Sequence, residues 1–130
     1  GRAPNQEWVI PDRNEDGAAI ELMLPERLPT AFVCNCDETA FRLVKTLKAK
    51  GIRVPEDISV TGYDNSLMSA GSLCLTTIAH PQEKLGEMAA ELLLEKIREV
   101  PEEKSQIPRL IQPELIPGNS VKDRRKQEEK

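Results

Sequence analysis

The stretch Arg53-Val54-Pro55-Glu56-Asp57-Ile58-Ser59-Val60-Thr61-Gly62-Tyr63-Asp64-Asn65 decides the fold. A proline-marked lead-in gives way to a short β-branched run and then, abruptly, to polar residues. Ile58 to Thr61 is too short for a helix and rich in β-branched side chains, so it reads as a buried strand. Gly62 lets the backbone turn where the strand leaves the sheet. Asp64 and Asn65 then fall at the carboxyl end, the edge of an open α/β sheet where loops and helix N-termini converge on a crevice.

Immediately upstream, Thr30-Ala31-Phe32-Val33-Cys34 is a continuous apolar run, the pattern of a parallel strand covered on both faces. Asp37 is placed to cap a helix carrying Ala40, Phe41, Val44 and Leu47 at helical spacing, and Gly51 stops it. Strand, helix and strand make a βαβ unit, so the strand ends at Cys36 and Tyr63 are expected side by side. Nearer the start, Glu7-Trp8-Val9-Ile10 reads as a short strand. Asp16 would cap a helix over Ala18, Ala19, Ile20, Leu22, Met23 and Leu24, closed by Pro25.

Downstream, Ser66 to Ser72 reads as a loop and Leu75-Thr76-Thr77-Ile78 as a strand. Pro81 suits the first turn of a helix whose stripe is Leu85, Met88, Ala89, Leu92, Leu93 and Ile97, ending near Val100-Pro101. Arg109 to Ile116 is strand-like, but Pro113 points to an edge or a bulge. The charged residues 122–130 offer no apolar anchor and are expected to fray as a disordered tail. The order predicts one α/β domain with a three-layer, mostly parallel sheet flanked by helices.

A chain of 130 residues can bury a real core. Its net charge of -4 argues against a nucleic-acid-binding face, and 3% aromatic residues are too few for a base-stacking platform. No apolar run approaches the roughly 20 residues of a membrane span, and Gly1-Arg2-Ala3-Pro4 lacks the apolar core of a secretion signal. A cytoplasmic setting with no membrane partner is the expectation. Cys34, Cys36 and Cys74 are odd in number and read as reduced thiols.

The pattern is poor in catalytic chemistry. Cys34, Cys36 and the sole histidine, His80, fall short of a closed zinc site, so no metal is expected. Neither a Gly-x-Ser-x-Gly elbow nor a phosphate-binding glycine motif is present, so no catalytic residue and no cofactor are assigned. What survives are the acidic strand ends Asp37 and Asp64, with Asn35, Asn65 and the segment Asp12 to Asn14 nearby. Carboxylates that accept hydrogen bonds from vicinal hydroxyls suit a sugar. The same two residues also suit a helix cap and a turn.

Three stretches together resemble the effector-sensing domain of lactose-repressor/galactose-repressor family regulators. They are Leu28 to Ala40, Gly51 to Asn65, and Leu75-Thr76-Thr77-Ile78-Ala79-His80-Pro81, and the likeness runs from about Trp8 to Val121. The resemblance implies a periplasmic-binding-protein-like (type I) lobe over residues 1–121, the second of two lobes that hold a small-molecule effector, usually a sugar, between them. It implies ligand contacts at Asp64 first, then at Cys36 and Asp37 in place of the family's Asn-Asp pair, with Cys36 removing an amide. Asn65, Arg13 or Asn14, and His80 in place of a frequent Gln are the weaker members.

By the same resemblance, the helix over residues 81–99 packs on a first lobe absent from this chain, and operator DNA is read by an absent N-terminal helix-turn-helix. A homodimer is implied through Phe41, Val44, Leu47 and Lys48 on the helix after Asp37 and through Leu67, Met68 and Leu73 in the loop. The isolated lobe is expected to bind effector weakly, because half of the clamp is missing. The competing readings are a lobe of an extracellular or periplasmic sugar receptor and, further off, a flavodoxin-like α/β enzyme.

Overall fold

The computed structural model describes residues 6–66, 74–99, 101, 104–105, 107–108 and 110–124. Strand β1 (Ala31–Val33) leads into helix α1 (Asp37–Ala49) and strand β2 (Ser59–Thr61). β1 and β2 pair in parallel with Phe32 opposite Val60, and α1 packs over β2. This is the βαβ unit that the apolar run before α1 and the β-branched run after it predict. Gly51 ends α1 at φ 74°, a left-handed conformation that glycine adopts without penalty.

Strand β3 (Thr77–Ala79) continues the sheet through parallel bridges from Thr61 to Thr76 and from Asp64 to Ala79. It begins two residues later than the sequence suggests. Helix α2 (Gln82–Ile97) follows, and strand β4 (Glu114–Ile116) closes antiparallel to β3 just after Pro113, which explains its edge position. The core joins Leu22, Phe32, Ala40, Leu43, Leu47, Ile58, Val60 and Leu75.

Several elements differ from expectation. Residues 6–8 form a 3-10 turn instead of a strand, with Val9 N donating to Gln6 O. Residues 18–24 are not helical. Arg13 bridges Ala19 antiparallel, Ile20 N donates to Asp12 O, and the Arg42 guanidinium donates to Ile20 O and Asp12 O. Leu22 is buried between exposed Glu21 and Met23, a period of two. Tertiary hydrogen bonds to α1 therefore outweigh the local helical preference of that segment.

β1 is covered on one face only, for Phe32 is buried while Val33 is 87% exposed. The stripe on α2 is likewise uncovered: Met88 is buried, and Leu85, Leu93, Leu94 and Ile97 face outward. Leu47, expected at a dimer contact, has no exposed surface and belongs to the core. Phe41 and Val44 are half-buried and Lys48 is exposed, whereas Leu67, Met68 and Leu73 lie outside the described residues. The first residues of the expected tail are held, because Lys122 N donates to Ser59 Oγ (3.2 Å) and the Arg124 guanidinium donates to Asp57 O; residues 125–130 lie outside the described range.

Candidate functional site

The carboxyl ends of the parallel strands are joined by a hydrogen bond from Asp37 N to Tyr63 O at 2.8 Å, as the βαβ reading requires. Beyond β2 the chain turns through Asp64 and Asn65, with φ of 99° and 50°. Non-glycine residues rarely adopt that region, and they do so mostly where surrounding structure over-determines them, often at binding sites. Asp64 N donates to Ile78 O at 2.9 Å, which sets this turn beside the end of β3.

Asp64, Asn65 and His80 are thus brought together. His80 Nε2 stands 3.4 Å from Asp64 Oδ1, and the Tyr63 ring meets the imidazole edge-on with centroids 4.6 Å apart. The Asp64 carboxylate is about half exposed. Among the described residues it has one flank on His80, and its exposed part can accept from a hydroxyl or amine donor.

Asp37 is placed differently. It is 1% exposed, and its carboxylate accepts hydrogen bonds from Thr77 Oγ1 (2.7 Å) and Ser66 N (2.8 Å). Neither does it cap α1, whose N-cap is Cys36 without a side-chain bond. Cys36 Sγ lies 3.4 Å from Thr39 Oγ1 and is partly accessible. Gly62 is needed for space rather than for turning: a Cβ there would overlap Asp37 Oδ1 and stand 3.1 Å from its Cγ.

Arg13 and Asn14 belong to the hairpin that replaces the expected helix. Arg13 pairs with Glu38 at 3.3 Å and donates to Gly17 O, while Asn14 Oδ1 accepts from Ala18 N at 2.8 Å and shapes the turn. Next to them Asp12 Oδ2 accepts from Thr39 Oγ1 (2.8 Å) and Asn35 Nδ2 (3.4 Å). The Thr39 hydroxyl is the main reason this carboxyl sits below the usual range; partial burial opposes it and Asn35 adds to it. A cavity of about 320 Å³ beside β1 is lined by Trp8, Ile10, Leu22 and Phe32 together with Asp12 and Asn35.

Sequence reasoning missed Thr39 and Thr77, which looked like ordinary helix and strand residues. Only the long-range pairing of Thr39 with Asp12 and of Thr77 with Asp37 reveals their part. Burial pushes the Cys34 thiol up to about 12, the behaviour of a core thiol. All three cysteines are free, and among the described residues no three His, Cys, Asp or Glu side chains are gathered to hold a metal.

The profile of the periplasmic binding protein-like domain family matches residues 1–121, and the chain belongs to that family. It is 38% identical over 125 residues to the HTH-type transcriptional repressor PurR of Vibrio campbellii, covering 92% of this chain and 37% of that protein. A LacI family transcriptional regulator from Enterococcus faecium, solved with bound ribose, superposes with a TM-score of 0.62 at 35% identity, covering 74% of this chain and 35% of that one. The complex of the transcriptional regulator CelR with cellobiose gives 0.60 at 30% identity, over 70% and 28%. The chain is a fragment of an effector-binding domain of the LacI/GalR type, with the periplasmic-binding-protein-like fold. It spans little more than a third of the length of the repressor it matches.

Proposed function

We propose that residues 1–121 are the second lobe of the effector-sensing domain of a DNA-binding transcriptional regulator, and that the effector is a sugar or related small metabolite. The observation that carries this is the half-exposed Asp64 carboxylate, held in a left-handed turn at the carboxyl ends of parallel strands. Such an acceptor suits the hydroxyl of a ligand held between two lobes. Asn65, His80 and Cys36 line the same edge, with Arg13 and Asn14 on the neighbouring hairpin. Operator DNA is contacted through an N-terminal domain outside this chain, in the cytoplasm.

The uncovered apolar face of α2, formed by Leu85, Leu93, Leu94 and Ile97, supports packing against the first lobe. Phe41, Val44 and Lys48 remain available for a homodimer contact, without Leu47. Light scattering that returns a concentration-independent monomer mass would contradict the dimer.

Calorimetry on the full-length protein with ribose and cellobiose tests the sensing reading. A hydrogen bond to a charged acceptor is worth about 1.5–3 kcal/mol, so Asp64→Ala is expected to weaken binding roughly 10- to 150-fold. Unchanged affinity in Asp64→Ala would remove Asp64 from the site. Binding as tight on the isolated lobe would show that a second lobe is not needed.

A further inference from the structure

The turn that presents Asp64 is unfavourable by itself, since two successive non-glycine residues stand at positive φ. Something must hold it. Before the turn, Gly62 N donates to Thr76 O and Asp64 N to Ile78 O, which fixes its entry to β3. After the turn, Ser66 N donates to Asp37 Oδ2 at 2.8 Å, with Ser66 Oγ 3.4 Å from the same oxygen. Asp37 Oδ1 accepts from Thr77 Oγ1 at 2.7 Å, and Asn65 N reaches that hydroxyl at 3.4 Å.

One buried carboxylate thus gathers donors from Ser66, just after the turn, and from Thr77 on β3. It is an acceptor opposite donors only, and its backbone N–H ties it to Tyr63 O from below. Gly62 leaves the room for it, because any side chain there would occupy the space of the carboxylate. With 1% of its surface exposed, Asp37 has no face to offer a ligand.

We infer that Asp37 is a positioning residue: its carboxylate latches the left-handed Asp64–Asn65 turn in the shape that presents Asp64 to the effector, without touching the effector itself. The inference rests on the sensing role proposed above for that edge. It also separates the two acidic strand ends by function, one as contact and one as support. An amide in place of Asp37 can keep Ser66 N on its oxygen only by setting its N–H₂ against the Thr77 hydroxyl, which must then turn its own proton away, so Asp37→Asn replaces both bonds to a charged acceptor by weaker neutral ones with almost no change in size.

The test is hydrogen exchange on the full-length protein without ligand, joined to calorimetry with ribose and cellobiose. In Asp37→Asn, the peptide spanning residues 62–66 is expected to lose protection about tenfold, the difference between hydrogen bonds to a charged and to a neutral acceptor, while the body of α1 keeps its protection. Thr77→Val, which leaves Asp37 in place, is expected to loosen the same peptide less, and it carries the comparison if Asp37→Asn does not fold. Where a sugar binds, Asp37→Asn weakens it roughly tenfold or more, and adding Asp37→Asn to Asp64→Ala weakens it no further.

Unchanged exchange at residues 62–66 in the variants overturns the latch. So does a loss of affinity in Asp37→Asn without a change in exchange, which would make Asp37 a direct contact. So does loosened exchange with unchanged affinity, which would make the turn irrelevant to binding. Failure of both sugars to bind the unsubstituted protein counts against the sensing role, and exchange then decides the latch by itself.

Discussion

Replacing Gly62 by alanine adds one methyl group where the chain leaving β2 passes against Asp37 at the start of α1. The new Cβ overlaps Asp37 Oδ1, so either the carboxylate swings away or the strand and helix part. Swinging away gives up the bonds from Thr77 Oγ1 and Ser66 N, each worth about 1.5–3 kcal/mol to a charged acceptor. Parting the elements costs about 1–3 kcal/mol, as overpacking does. Against this, the lower entropy of an unfolded alanine chain returns only about 0.4–1 kcal/mol.

The cheaper of the two routes sets the cost, for a net loss of about 1–2 kcal/mol out of the roughly 5–15 expected of a whole domain. Gly86 is the control: it lies inside α2 with nothing within 4 Å of a built Cβ, so Gly86→Ala is expected to gain about 0.8–1 kcal/mol. Urea unfolding followed by circular dichroism reads both as shifts of midpoint at constant slope. A Gly62→Ala protein within about 0.5 kcal/mol of the parent would refute the close packing of Asp37 against β2.

Ser120 has no exposed surface, and its hydroxyl donates to Val60 O and accepts from Thr76 N at 2.8 Å, stitching the C-terminal segment across β2 and the start of β3. Ser120→Ala leaves the buried Val60 carbonyl and the part-buried Thr76 N–H short of a partner, and a loss of about 1–3 kcal/mol is expected in thermal unfolding. At pH 8 an alkylating reagent is expected to label exposed Cys74 quickly and Cys34 only after unfolding, since burial holds that thiol protonated up to about 12; mass spectrometry of the labelled peptides distinguishes the two. Arg53 grips Asp57 with its guanidinium and its backbone N–H, holding the carboxyl well below its ordinary 3.8. Because the folded value is depressed, the contribution is present above 3.8 and fades as pH falls below it. Asp57→Asn therefore flattens the acid side of the stability curve, by a small and salt-sensitive amount because both side chains are exposed, as acid titration at low and high salt will show.

Legibility in the chain followed the range of the interaction. α1 and α2 carry their stripes and stops in consecutive residues, and β1 announces itself by its apolar run, β2 by β-branching and β4 by Pro113. The segment 18–24 misled because local helical composition was opposed by Arg42, which is distant in sequence and binds the carbonyls of Ile20 and Asp12. Residues 7–10 misled because so short an apolar run fits a 3-10 turn as readily as a strand.

At the candidate site the same division holds. The placement of Asp64 and Asn65 at a strand's carboxyl end was readable from element order alone, whereas His80 entered only through the family resemblance. That Asp37 is buried while Asp64 stays half exposed was not, because it depends on which carboxylate the packing covers and which donors the fold delivers to it. Sequence by itself determined the parallel βαβ unit, the polar rim and its acidic residues, since periodicity, prolines and glycines act within a few residues of where they stand. Only the tertiary structure decided that Gly62 makes room rather than a turn, that Leu47 is core, and that Asp37 lies beneath the rim on Thr77 and Ser66. Those outcomes come from contacts between residues far apart in the chain, and no local pattern encodes them.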